Sequence, residues 1–277
     1  MPTNKLHVGL LLFTINVIVF FTACSHRLKT SKEIVRPEFS TILDSLSIYG
    51  SVLIYDQNED IYYANDFEWA RKQFLPASTF KIPNTIISLE TGIMQSDTTV
   101  IRWDGTKRWL KVWEEDLTLR QAFQVSCVPC YQEIARQIGK ERMRHYLDKL
   151  SYPGMKFDNT TIDNFWLEGR SGISQFEQIS FLKRLYNTQL PISKRTEKLI
   201  RKIMVIDNKQ SYILSGKTGL STQNGQNGWF TGFLEANKNV YFFATNVKPR
   251  DNSTTNEFSA ARIKATRSIL NLFYNTK

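Results

Sequence analysis

Histidine and cysteine are both scarce in this chain, with three of each in 277 residues. The histidines are His7, His26 and His145, and the cysteines Cys24, Cys127 and Cys130. A structural zinc site needs four such ligands, and the single Cys-x-x-Cys has no second pair to join it. No metal site is expected. Cys127 and Cys130, in "SCVPC", lie in an apolar stretch leading into a helix. Two small buried side chains are the expected state, with a disulfide as the alternative in an exported protein. Internal repeats and low-complexity tracts are missing too, as is any dense basic run. The formal charge of +10 raises the question of nucleic acid. Yet basic residues are interleaved with acids, as in "RWLKVWEED" and "GKERMRHYLDK", and the acid-free run "KLIRKIM" (198–204) reads as one helix face. A nucleic-acid footprint clusters more tightly than this. The charge is read as solubility with a bias toward anionic ligands, and no nucleic-acid partner is expected.

Long apolar runs are confined to the N-terminus. Lys5 and His7 precede "VGLLLFTINVIVFF", which stops at "TACSH" and is short for a membrane span. A basic region, an apolar core and small residues before a cleavage point make residues 1–23 a secretory signal peptide. Cys24 after Thr22-Ala23 also resembles the lipobox of bacterial lipoproteins, with Phe21 where leucine is usual. Cys24 is thus the candidate lipid anchor, against plain cleavage near the same point or an uncleaved anchor. The expected location is exported and periplasmic.

With 42% apolar and 22% charged residues the composition is that of a globular protein. Residues 24–40 read as a linker and 41–277 as one domain. "SVLIYDQNEDIYYAND" (51–66) holds two β-rich runs around a turn, a hairpin. From about 77 to 205 the period is mostly helical, with segments at 79–91, 117–126, 131–150, 174–189 and 193–204. Ser174 with Glu177 forms a capping box, and Ser193 offers another N-cap. Strands return at 211–219, 228–236 and 239–247, before a basic amphipathic helix at 256–273. Strands at both ends and helices between predict an α+β fold. One antiparallel sheet comes from 41–76 and 206–277, with an inserted all-helical lobe and a cleft between the two.

The chemistry centres on "PASTFKIPN" (76–84). Ser78 sits at a helix N-terminus, where free N–H groups and the dipole favour a developing anion. Lys81 is three residues on, on the same helix face. Phe80, Ile82 and Ile86 supply apolar surroundings that lower an amine pKa and make it a base. Alone, the pair reads more commonly as a cap beside a solvated cation. Two further elements change that. Ser126-Cys127-Val128 can aim a second hydroxyl into the cleft, and Lys217-Thr218-Gly219 ends a strand with a cation, a hydroxyl and a bare backbone. S-x-x-K with K-T-G marks penicillin-recognising serine enzymes.

On these residues the chain resembles the class D, oxacillinase-type serine β-lactamases, from about residue 45 to 273. The likeness includes "PASTFKIPNT", "SCVPCYQEIARQIG", "IDNFWLEG", "SGKTG" and "NGWFTGF". The resemblance implies the penicillin-recognising fold and a small-molecule β-lactam substrate. It implies that Ser78 forms an acyl-enzyme and that Lys81 is N-carboxylated by carbon dioxide or bicarbonate, the one cofactor-like requirement, and acts as general base. Trp166, in "FWLEG", would hold that carbamate, although tryptophan is often simply core. Ser126 would relay a proton, Lys217 assist electrostatically, and Thr218 and Arg262 meet the substrate carboxylate. The N–H groups of Ser78 and Leu220 would form the oxyanion hole beside Gly219, and Val128 and Leu167 an apolar gate above the lysine. Two departures stand out: Tyr152-Pro153-Gly154 where the family has an aromatic-Gly-Asn, and Leu220 where an aromatic is common. The rival readings are a β-lactam sensor that acylates without turnover, a penicillin-binding transpeptidase, and a lipid-anchored binding protein with a decayed site.

Overall fold

The computed structural model describes residues 1–2, 31–223, 225–250 and 254–274. The signal peptide and Cys24 lie outside the described residues. Residues Ser31–Lys277 form one compact unit.

The expected linker is, from its end inward, ordered structure. Strand β1 (Lys32–Val35) is followed by helix α1 (Pro37–Asp44), which starts on a proline whose missing N–H costs nothing in a first turn. The predicted hairpin is present as β2 (Ile48–Asp56) and β3 (Ile61–Ala64). A short α2 (Phe67–Arg71), capped by the Asp66 side chain, leads to a 3-10 turn, Ala77–Phe80, that runs into α3 (Lys81–Glu90).

The middle of the chain is not wholly helical. β4 (Val100–Ile101) and β5 (Leu117–Thr118) make a two-stranded ladder around a second 3-10 turn, Lys111–Trp113. α4 (Leu119–Gln124) begins on a Thr118–Gln121 capping box. The helix expected over 131–150 is two helices, α5 (Val128–Ile138) and α6 (Lys140–Lys149). They are separated by Gly139 at φ 76, a left-handed position that ends a helix. α7 (Gln175–Tyr186) has the predicted Ser174–Glu177 capping box, and α8 (Lys194–Met204) is capped by Ser193.

β6 (Val205–Asn208) follows without a break, and then β7 (Tyr212–Ser221), β8 (Asn227–Ala236), β9 (Asn239–Pro249) and the closing helix α9 (Thr255–Tyr274). The seven-stranded sheet has the order β1-β3-β2-β9-β8-β7-β6. It is mixed rather than purely antiparallel, because β1 adds to β3 in parallel. The first strands of the chain meet the last at β2–β9, where Ile48 pairs with Pro249 and Asp56 with Tyr241.

Successive strand side chains point to opposite faces, and both faces here are covered. On β9, Val240, Phe242 and Ala244 join the core shared with the helical lobe, which includes Phe80, Tyr131 and Trp166. Tyr241, Phe243 and Val247 join a second core with Phe39 of α1 and Ile269 and Phe273 of α9. β7 packs against the first 3-10 turn. The end of the sheet is thereby brought to the start of α3.

Candidate active site

A 3-10 helix has three residues per turn, so side chains at i and i+3 eclipse. The turn Ala77–Phe80 therefore sets Lys81 directly beneath Ser78, and Lys81 Nζ donates to Ser78 Oγ at 2.9 Å. Ala77 takes φ 48, a left-handed angle that costs a non-glycine residue energy and must be held in place. Four hydrogen bonds hold it. Ala77 N–H donates to Trp166 O at 2.8 Å and Thr79 N–H to Pro76 O at 3.1 Å. Gln178 Nε2 donates to Thr79 Oγ1 at 2.8 Å, and Trp229 Nε1 to Leu75 O at 2.9 Å. Sequence reasoning missed Gln178 and Trp229, since no local spacing ties them to Ser78.

Lys81 is fully buried. Burial, then the charge of Lys217, pushes its amine well below an ordinary lysine. The Tyr131 ring lies 5.1 Å from Nζ. Trp166 stacks on Phe80 at a centroid distance of 5.3 Å, and its buried indole N–H has no partner. A buried donor in an apolar site is stabilised by an acceptor beside it, most of all by an anion.

Ser126 joins α4 to α5 at φ 57, again left-handed. Trp113 Nε1 donates to Val125 O at 3.0 Å and fixes the approach. Cys127 and Cys130 are both buried, yet they are bonded rather than free thiols, a disulfide with a Cα–Cα distance of 5.4 Å. The reason is geometric. Cys127 caps α5 and Cys130 sits one turn on, where side chains three apart converge to bonding range.

The opposite wall is β7. Lys217 Nζ donates to Thr218 O at 3.1 Å, and burial, then Arg262, lowers its pKa to about 7. Arg262, also buried, donates through one terminal nitrogen to Gly219 O at 2.6 Å, while its Nε lacks a partner. Burial lowers the Arg262 pKa to about 10. A Cβ on Gly219 would come within 3.0 Å of Pro76 O and 3.2 Å of Thr79 N. Only glycine allows the strand this close to the nucleophile turn.

Between these walls lies a cleft of about 1260 Å³. Ser78, Ser126, Val128, Leu167, Thr218, Gly219, Leu220 and Arg262 line it. Lys81, Trp166 and Lys217 do not line it and are buried. The rim also carries Lys107, Arg108, Trp109 and Leu110, which sequence reasoning did not single out. Their signal was the aromatic spacing of "RWLKVW". The departure at 152–154 is accommodated. Tyr152 packs edge-on against Phe80, and Gly154 takes φ 79 where a Cβ would strike Gly172 O. Among the described residues no cluster of histidine, cysteine and acids is suited to a metal ion, and no helix is long and apolar enough to cross a membrane.

A model of the penicillin-binding protein transpeptidase domain matches residues 48–271. The chain is 45% identical over 187 residues to β-lactamase OXA-10 of Pseudomonas aeruginosa, covering 66% of this chain and 70% of that one. Among solved structures it is similar to the class D β-lactamase YbXI from Nostoc, with TM-score 0.80 and 42% identity over 85% of this chain and 97% of that one. It is also similar to the C-terminal domain of the Bacillus licheniformis BlaR penicillin-receptor, with TM-score 0.79 and 28% identity over 87% and 95%.

Proposed function

The chain belongs to the class D β-lactamases of the penicillin-binding protein transpeptidase family, and on that premise we propose that it hydrolyses β-lactam antibiotics through an acyl-enzyme on Ser78. The observation that carries the proposal is the buried pair: Lys81 Nζ on Ser78 Oγ at 2.9 Å, with the amine held well below its ordinary pKa. Lys81, N-carboxylated through its neutral amine, would accept the serine proton as general base while the hydroxyl oxygen attacks the lactam carbonyl. The carbonyl carbon bonds to Ser78 Oγ, the ring C–N bond breaks, and Ser126 passes a proton to the departing nitrogen. Water then cleaves the ester, releasing the ring-opened acid and restoring Ser78.

The backbone N–H groups of Ser78 and Leu220 are assigned to the oxyanion, where one such donor is worth about 10²–10³ in rate. The substrate carboxylate goes to Thr218 and Arg262, with Lys217 assisting by its charge. Val128 and Leu167, on the cleft wall, meter water. Lys81 is the proposed site of N-carboxylation, since a neutral buried amine is the form that reacts with carbon dioxide. The unpaired Trp166 indole N–H fits as a donor to that group. When present, the carbamate supplies an anionic general base. Export to the periplasm, lipidation at Cys24 and a contribution to antibiotic resistance belong to the same proposal, resting on the pattern of residues 5–24 and on the substrate class.

The likeness to the BlaR penicillin-receptor domain favours one second reading, a binding protein that acylates and stops. The two separate in one experiment, turnover of a chromogenic cephalosporin with and without added bicarbonate. Bicarbonate-stimulated turnover that Lys81→Ala abolishes is the expected result. A stable adduct on Ser78 without turnover would leave the receptor reading in possession. Trp166→Ala should slow deacylation more than acylation, and normal deacylation in that variant would refute its assigned role.

A further inference from the structure

We propose that the Cys127–Cys130 disulfide is a positioning device for the reaction, locking the corner that presents Ser126 and Val128 to the cleft. The inference rests on the reading of Ser126 as proton relay and Val128 as gate.

Ser126 occupies a left-handed backbone position that surrounding structure must enforce. Upstream the enforcement is ample. Ser126 N–H donates to Phe123 O at 3.2 Å, Cys127 N–H to Ala122 O at 2.8 Å, and Trp113 Nε1 to Val125 O at 3.0 Å. Downstream it is thin. Pro129 has no N–H to give, and Tyr131 N–H reaches Cys127 O only at 3.4 Å. Cys130 N–H has the Cys127 sulfur as acceptor, at 3.2 Å. The covalent bond between the two sulfurs ties the first turn of α5 to its cap where hydrogen bonds do so weakly.

The far end of that tie is anchored under the base. Tyr131, next to Cys130, is buried with its ring 5.1 Å from Lys81 Nζ, and its hydroxyl shares a 2.7 Å hydrogen bond with Thr85 of α3. The disulfide therefore joins the segment carrying Ser126 and Val128 to a residue fixed against the helix that carries Lys81. Loop length argues that the effect is local. A bridge between cysteines three apart closes a short loop, which removes less unfolded-chain entropy than a long one. Both sulfurs are buried, unlike the accessible thiols that exchange with partners.

The test is the full chain with Cys127→Ala and Cys130→Val together, compared with wild type. Alkylation under denaturing conditions, read on the peptide spanning 126–131, should find neither cysteine free in the wild type. Acylation by a fluorescent penicillin should slow by at least ~10-fold in the variant, because small misplacements of catalytic groups carry rate losses of that order. KM should change little and the thermal midpoint by only a few degrees. Wild type reduced in denaturant and refolded without oxidant should behave like the variant, and refolding with oxidised glutathione should restore only the wild type. Wild-type acylation kinetics in the variant, or free thiols in the wild type, would overturn the proposal. If neither protein acylates, the functional reading has failed. Hydrogen exchange at amides 126–131 then decides, with faster exchange in the variant supporting the lock and unchanged exchange refuting it.

Discussion

Lys81 and Lys217 are buried amines on opposite sides of one cleft, and burial drives both below ordinary lysine. For Lys217 the pKa near 7 has two consequences of opposite sign. In the free enzyme its charge is lost as pH rises through that value, so kcat/KM should fall on the alkaline side. A bound substrate carboxylate favours the charged form, so the same limb in kcat should lie at higher pH. Coincident limbs in the two profiles would remove Lys217 from the carboxylate's neighbourhood. Stability runs the other way. Between about 7 and the unfolded value of 10.5 the unfolded chain binds the proton and the folded one does not. Stability should therefore rise with pH across that window, with a limiting slope of about 1.4 kcal/mol per unit for this one group. Denaturant midpoints at pH 7.5 and 9.5 should show it, as roughly chosen points inside the window, and Lys217→Met should reduce the slope, leaving the share of buried Lys81. The spacing of Ser78 and Lys81 was legible because it is local and repeats the eclipsed geometry of a tight turn. The low pKa of Lys217 was not, because it depends first on burial in the folded chain and then on Arg262, 262 − 217 = 45 residues later.

Elements meet at the site through close approach rather than side-chain reach. β7 lies against the 3-10 turn at Gly219, where a Cβ would need Pro76 O to give way. Gly219→Ala should push the strand from Ser78 and slow acylation by at least ~10-fold, with the circular dichroism of the fold retained. Unchanged acylation would mean that the turn follows the strand. The rim turn offers a different test. Trp109 is 79% exposed, edge-on to buried Trp113 at 6.3 Å, beside Lys107 and Arg108. Trp109→Ala should raise KM for penicillins with aryl side chains by about 10-fold, since an aromatic wall contributes about that much binding. Substrates with small side chains should be unaffected, and equal effects on both classes would assign Trp109 to the scaffold. At this scale the hairpin, both N-caps and the three C-terminal strands were readable from alternation and capping residues. The fused short pieces were not. β6 continues from α8 with no punctuating residue, and the break at Gly139 depends on a single positive φ inside an otherwise helical period.

Across the whole molecule the sheet is assembled from both ends of the chain, and this was legible as a pattern of strands, helices and strands. The parallel addition of β1 was not, because four residues with charges at both faces carry no alternation to read. β1 sits at one edge of the sheet, with β3, β2, β9 and β8 between it and β7. Removing residues through Val35 should lower the thermal midpoint while leaving kcat unchanged; a loss of kcat at unchanged midpoint would imply coupling across the sheet. The pairing of β2 with β9 also bears on the protein's synthesis. Ser78 and Lys81 emerge from the ribosome early, but the strand that faces them and the strands that hold it in place come last. A nascent chain therefore carries its nucleophile for most of its synthesis without a wall to close the cleft. Long-range pairing of this kind makes folding slow and late. A chain stopped before β9 should be inert toward β-lactams, although every residue of S-x-x-K, S-x-V and K-T-G has already been made.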